Sequence, residues 1–140
     1  MVKIQKKIHY KGTVLVEAAI VFPLLLLLTL GAIEYGWLFL KSQQITNAAR
    51  QGARVAIRPD SIEDDVLTTI RNLMTAADIP ESEYTVEITP SVSVEPCFSV
   101  NVKVIIVDYA KIALINAPGL LPIPKKLQAA VTMSKEGPGS

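Results

Sequence analysis

Two carboxylates inside one apolar run are the side chains of this sequence best placed to do chemistry. From Thr13 to Leu40 the chain reads TVLVEAAIVFPLLLLLTLGAIEYGWLFL, interrupted by Glu17 and Glu34. A carboxylate near the centre of a membrane helix costs about 3 kcal/mol, whereas the Leu24–Leu28 run contributes about 2 kcal/mol toward insertion. Each glutamate therefore needs an explanation, such as a countercharge or access to water. The other reactive side chains are isolated. Cys97 is the one cysteine and His9 the one histidine, which excludes an internal disulfide and a His-based metal cluster. Cys97 beside Pro96 could pair with another chain or take a redox modification, but a lone cysteine is more often just tolerated. There is no GxSxG, no nucleotide-binding glycine loop and no Cys or His pair, so the sequence points to no enzyme, no cofactor and no metal.

The element that must position both glutamates is a helix. Thr13–Leu40 exceeds the roughly 20 apolar residues needed to cross a bilayer, and is too long for the h-region of a signal peptide, which runs about 7 to 15 residues. Lys3, Lys6, Lys7 and Lys11 precede it with no acidic residue among them. The positive-inside rule then places the N-terminus in the cytoplasm and the remainder outside. The formal net charge of +1 conceals this asymmetry. The absence of a Lys/Arg cluster on the remainder argues against nucleic acid as a partner. The helix is expected to continue through KSQQITNAARQGARVAI, because no proline occurs before Arg58-Pro59. Ile45, Ala48, Ala49, Ala53, Ala56 and Ile57 trace one stripe there, opposite Gln44, Asn47, Arg50, Gln51, Arg54 and Arg58. The arginines, four residues apart, could meet acids of a neighbouring subunit or lipid headgroups, although a solvated face is the commoner explanation. A single helix from Thr13 to Ile57 would measure roughly 65 Å.

The chain of 140 residues thus leaves room for one small soluble domain. Asp60 with Glu63, or Ser61 with Asp64, could cap a second helix whose apolar face is Ile62, Val66, Ile70 and Leu73. Beyond Asp78-Ile79-Pro80 the period changes to two: Tyr84, Val86 and Ile88, a break at Pro90, then Val92 and Val94. Val100, Val102, Val104 and Ile106 form the return strand of an antiparallel hairpin. Pro118, Gly119, Pro122 and Pro124 mark a loop, with at most a short helical turn at Ala110–Ile115, and Leu127–Met133 offers a third strand. The expected fold is α+β: a long transmembrane and stalk helix, then a head with one helix and a roughly three-stranded antiparallel sheet. The divisions are a basic leader at 1–12, the long helix at 13–58 (membrane span about 14–40, stalk about 41–58) and an extracytoplasmic head at 59–140.

Lys11-Gly12-Thr13-Val14-Leu15-Val16-Glu17 sets a glycine after a basic leader and a glutamate five positions beyond it, the prepilin processing pattern. The stretch from Gly12 to Arg58, with VEAAIVFPLLLLL, GAIEYG and NAARQGAR, closely resembles the TadE-like family of pseudopilins of tight-adherence, type IV-like pilus systems. The likeness is looser through the strands, and the closing MSKE also resembles the family's ending. Ala18 stands where major pilins of this branch carry an aromatic residue, which favours the TadE-like group.

The resemblance implies a structural assembly component of a pilus, a minor or initiating subunit in the inner membrane, single-pass, with its C-terminal head outside the cytoplasm. A prepilin peptidase would cut between Gly12 and Thr13. The other implied partners are pilin or pseudopilin subunits packed through the N-terminal helix, the inner-membrane assembly platform and membrane lipid. Cleavage would create an α-amine with a pKa of about 7.7 to 8.0 at the head of an apolar helix. Glu17, one turn deeper, could pair with it in its own or a neighbouring subunit, or could simply reach the headgroups. Pro23 removes a helical hydrogen bond and is expected to kink the helix, with or without a function. Gly31 and Gly36 flank Glu34 and could admit another helix, while Tyr35 and Trp37 could equally place Glu34 near water. The rival assignments are the principal subunit of a pilus-like filament, a surface-binding tip, and an uncleaved single-pass scaffold or binding protein of the envelope.

Overall fold

A carboxylate-bearing apolar helix must end on something that covers it, and the sheet and second helix of this chain provide that cover. The computed structural model of the chain describes residues 11–90, 99–115 and 122–134. Lys3, Lys6, Lys7 and His9 of the leader, the Val92 and Val94 continuation, Pro96, Cys97, Pro118, Gly119 and the closing Lys135 and Glu136 lie outside the described residues. The elements are helix α1 (Lys11–Ala56), helix α2 (Glu63–Ala76) and strands β1 (Tyr84–Thr89), β2 (Ser99–Ile106) and β3 (Leu127–Ser134), with 3-10 turns at Glu81–Glu83 and Tyr109–Lys111. This is the expected α+β order, with an antiparallel three-stranded sheet in the order β1-β2-β3.

The chain divides into two units, Met1–Ile33 and Glu34–Ser140. In the first, the described residues are all helical, because leucine and alanine are strong helix formers and the helix satisfies its own backbone. Its apolar side chains are uncovered, as at Leu15 (73 % exposed) and Leu24 (63 % exposed). Pro23 lies inside the helix, which continues across it.

In the second unit, β2 is the central strand and sets the core. Its period-two pattern buries Val100, Val102, Val104 and Ile106 on one face. Val86 lies opposite Val104 and Ile88 opposite Val102 on one side, while Val131 faces Val102 and Ala129 faces Val104 on the other. The outer face is polar: Lys103 donates to Glu87 across the β1–β2 ladder at 3.2 Å, and Asn101 donates to Thr132 across β2–β3 at 2.7 Å. Such directly opposed pairs each contribute about 0.2–1 kcal/mol and fix register. The buried face packs against Ile45, Ala48, Ala49, Ala53 and Ala56 of α1 and Val66, Ile70 and Met74 of α2.

The ends of α2 differ from expectation in an instructive way. Ser61 does not cap it; its hydroxyl donates to the carbonyls of Ala56 at 3.2 Å and Arg58 at 3.1 Å, closing the end of α1. The N-cap is Ile62, in extended conformation, whose amide donates to the Asp65 carboxylate at 3.2 Å. Ile62 therefore precedes the first turn and is exposed, and the buried stripe is Val66, Ile70 and Met74. At the other end Asp78 takes φ 55, so that Asp78 N–H reaches Thr75 O at 3.0 Å and Ile79 N–H reaches Met74 O at 3.0 Å, a Schellman closure. Ile79 and Met74 are both buried, which supplies the apolar contact that this motif favours.

Gly52 sits where α1 passes close to Ile70 and Val102. A Cβ built there would lie 2.7 Å from Ile70 Cδ1, 2.9 Å from Ile70 Cγ1 and 3.4 Å from Val102 Cγ1. Replacing glycine by alanine gains about 1 kcal/mol of helix propensity, but overpacking a closed core costs about 1–3 kcal/mol. Gly52→Ala is therefore expected to lower stability by about 1 kcal/mol, and Gly52→Leu by more, read as the thermal unfolding midpoint of the detergent-solubilised chain. A midpoint raised by the alanine would show that Ile70 yields freely.

Candidate assembly and membrane-anchoring site

The first group of expected site residues falls on one helical surface. Gly12, Thr13, Val16, Glu17 and Ile20 line a shallow open groove on α1, with Glu17 exposed. This follows from helical spacing, since positions three and four apart share a face. A side chain at Gly12 would meet nothing within 4 Å. Glu17 therefore stands about one turn from the Gly12–Thr13 peptide, on the same helical face as Val16 and Ile20.

The second group separates. Gly31 is buried, whereas Gly36 is open, with nothing within 4 Å of a Cβ placed there. Glu34 is 0 % exposed. Both of its carboxylate oxygens are engaged: the Tyr109 hydroxyl donates to Oε1 at 3.2 Å and the Ile115 amide donates to Oε2 at 2.7 Å. Tyr109 is placed for this by the 3-10 turn after β2, which Asp108 caps by accepting from the Ala110 amide at 3.2 Å, and by its own amide donating to Lys125 O at 2.8 Å.

The turns of α1 around Glu34 are held by further bonds to the same two segments. Tyr35 donates to the Pro122 carbonyl at 3.1 Å, and the Trp37 indole N–H donates to the Ile112 carbonyl at 2.8 Å. Lys41 Nζ lies 4.8 Å from the centroid of the Trp37 ring and donates to the Ala77 carbonyl at 2.6 Å. Ala77 is the C-cap of α2, and no basic residue occupies that helix's last turn, so Lys41 brings the cation that a helix C-terminus attracts. Burial holds the Lys41 amine below its ordinary value, opposed by the Asp78 carboxylate.

Trp37, Lys41, Tyr109 and the Ile112 and Ile115 backbone were not legible as a group. Trp37 reads in sequence only as an interfacial aromatic, and nothing in the spacing couples it to a carbonyl 75 residues away.

Among the described residues one helix is long and apolar enough to cross a membrane, and a small α+β unit follows it, which defines the class: a protein with the make-up of a single-pass membrane protein. Residues 12–54 match the family described as TadE-like protein. No curated protein and no solved structure matches the chain.

Tyr109 carries a pH signature. Burial first, then the Glu34 carboxylate and its hydrogen bond, raise the hydroxyl above the ordinary tyrosine value. A folded-state pKa above the unfolded value of about 10 means that the folded chain keeps a proton which the unfolded chain loses. The associated stability is complete below about pH 10 and falls as pH rises further, with a slope approaching about 1.4 kcal/mol per pH unit. Tyr109→Phe should lower neutral-pH stability by about 1–3 kcal/mol, because a buried acceptor loses a donor, and should flatten the alkaline decline. Thermal midpoints measured from neutral to strongly alkaline pH check both effects. An unchanged alkaline slope in the variant would assign that slope to other groups, among them Tyr84, whose hydroxyl burial also raises.

Proposed function

We propose that this chain is a pseudopilin, a minor or initiating subunit of a Tad-type pilus, inserted with its N-terminus in the cytoplasm and its C-terminal head outside. The observation that carries the proposal is the TadE-like match beginning at Gly12, on a helix whose next two dozen residues expose apolar side chains. A prepilin peptidase cuts the Gly12–Thr13 bond, removing the leader with Lys3, Lys6, Lys7 and Lys11 and leaving Thr13 as the new N-terminus. The freed ammonium, on an apolar helix, is then neutralised by Glu17 of the same chain or of a neighbour.

Assembly in this account is helix packing rather than bond chemistry. The apolar surface from Val14 to Leu30 exchanges lipid for the helices of other subunits and of the assembly platform. Gly36, open on its surface, admits close approach, and Pro23 leaves the Ala19 carbonyl without its helical donor, a point at which the helix can bend. Glu34 has its donors within the chain and is assigned to fixing the head on the helix.

Co-expression with a prepilin peptidase is expected to shorten the chain by residues 1–12, read by intact mass, and Gly12→Val should retain the full mass. Loss of the leader from Gly12→Val at the ordinary rate would contradict cleavage at this bond. Glu17→Ala should be cleaved normally but be missing from sheared pilus fractions. Its incorporation at the level of the unmodified chain would overturn the pairing of Glu17 with the amine.

A further inference from the structure

We propose that the face of the head built from Tyr109–Ile115 and Pro122–Lys126 is a lipid-contact surface, which rests on the anionic phospholipid headgroups of the leaflet next to it. The surface presupposes the membrane span and the cleavage proposed above. Residues 13–33, at about 1.5 Å per residue, cover about 31 Å, which matches a hydrocarbon core of about 30 Å. The hydrocarbon boundary then falls at Ile33–Glu34, where the second unit begins. Glu34 is shielded there by protein donors and not by lipid, as a carboxylate at that depth requires.

Beyond Glu34, the helix still leaves large apolar and aromatic side chains uncovered: Tyr35 at 46 %, Phe39 at 63 % and Leu40 at 45 % exposure. The segment bonded to this part of the helix adds Leu114, at 52 % exposure. Tyr35 and Trp37 each present an apolar body with a satisfied polar tip, the composition that favours the headgroup zone. Lys125, whose carbonyl accepts from the Tyr109 amide at 2.8 Å, and Lys126 are exposed and have no hydrogen bond or ion pair through their side chains among the described residues, in contrast to Lys111, which pairs with Glu83 at 3.2 Å. Exposed apolar side chains combined with a pair of free ammonium groups suit a negatively charged lipid surface better than water. Exposed aromatic and aliphatic side chains together with unpaired lysines select an anionic lipid surface over a soluble protein as the occupant.

Trp37 is the single tryptophan of the chain and sits beside this surface, so the test has a built-in probe. Leader-free full-length chain beginning at Thr13 is reconstituted into phosphatidylcholine vesicles with and without phosphatidylglycerol, and insertion is established by resistance to alkaline carbonate. Trp37 emission is quenched with lipids brominated at shallow or deep positions. A polarity-sensitive dye is attached at Leu114→Cys in a Cys97→Ser background. The expected result is an inserted chain whose Trp37 is quenched most by shallow bromines, with Leu114 dye emission shifted to the blue when phosphatidylglycerol is present. Lys125→Glu with Lys126→Glu should return the dye to its level in phosphatidylcholine alone without altering insertion.

Extraction by carbonate would contradict the membrane reading itself. An inserted chain whose Trp37 is quenched only by deep bromines or only by an aqueous quencher would overturn the surface while leaving the span intact. So would a dye indifferent to lipid charge, or a shift that grows with the protein-to-lipid ratio, which would mark a second copy as the occupant.

Discussion

A carboxylate on an apolar helix must be given donors, and the fastening of this head to its helix follows from how Glu34 receives them. The two donors, the Tyr109 hydroxyl and the Ile115 amide, come from the segment that follows the central strand, so the loop after β2 is drawn onto α1. Once there, the same stretch of chain offers carbonyls to Tyr35 and Trp37. Removing a buried acceptor's donor costs more than the net value of the bond, so these contacts act together as one attachment. Lys41 extends the attachment to the C-terminal end of α2.

The same helix then serves as core. From Ile45 onward its buried positions are small, Ala48, Ala49, Gly52, Ala53 and Ala56, which lets the sheet and α2 come close to its backbone. The bulk that fills the space is supplied by β-branched residues of β2 and by Ile70 and Met74 of α2. This division of labour is why one continuous helix of 46 residues can present leucine to its surroundings at one end and alanine to its own domain at the other. The amino-acid types change along the helix where the surroundings change.

The strands, the alternation of Val100 to Ile106, the third strand at Leu127 and the stripe beginning at Ile45 could all be read from periodicity, because each is set by local spacing against one buried face. The start of α2 could not be read to the residue. Ser61 and Asp60 have the chemistry of caps, but the chain reversal after Arg58 gives the Ser61 hydroxyl to α1 and leaves Ile62 as the cap. The Glu34 cluster was hidden for a different reason. Its members are separated by 75 to 81 residues, and a buried polar group's partners are decided by tertiary approach, which no local pattern records. Glu17, by contrast, is exposed, and the pairing proposed for it needs only a partner one helical turn away.

The account turns on where the mature chain begins. A basic leader, Gly12 and the groove shared by Gly12, Thr13 and Glu17 make sense together if a peptidase releases Thr13 as the N-terminus, and they lose their common purpose if the leader stays. Terminal sequencing of the protein isolated from the membranes of its own cells reads this directly. The account predicts a sequence beginning Thr-Val-Leu-Val-Glu; a chain that still begins at Met1 would contradict it.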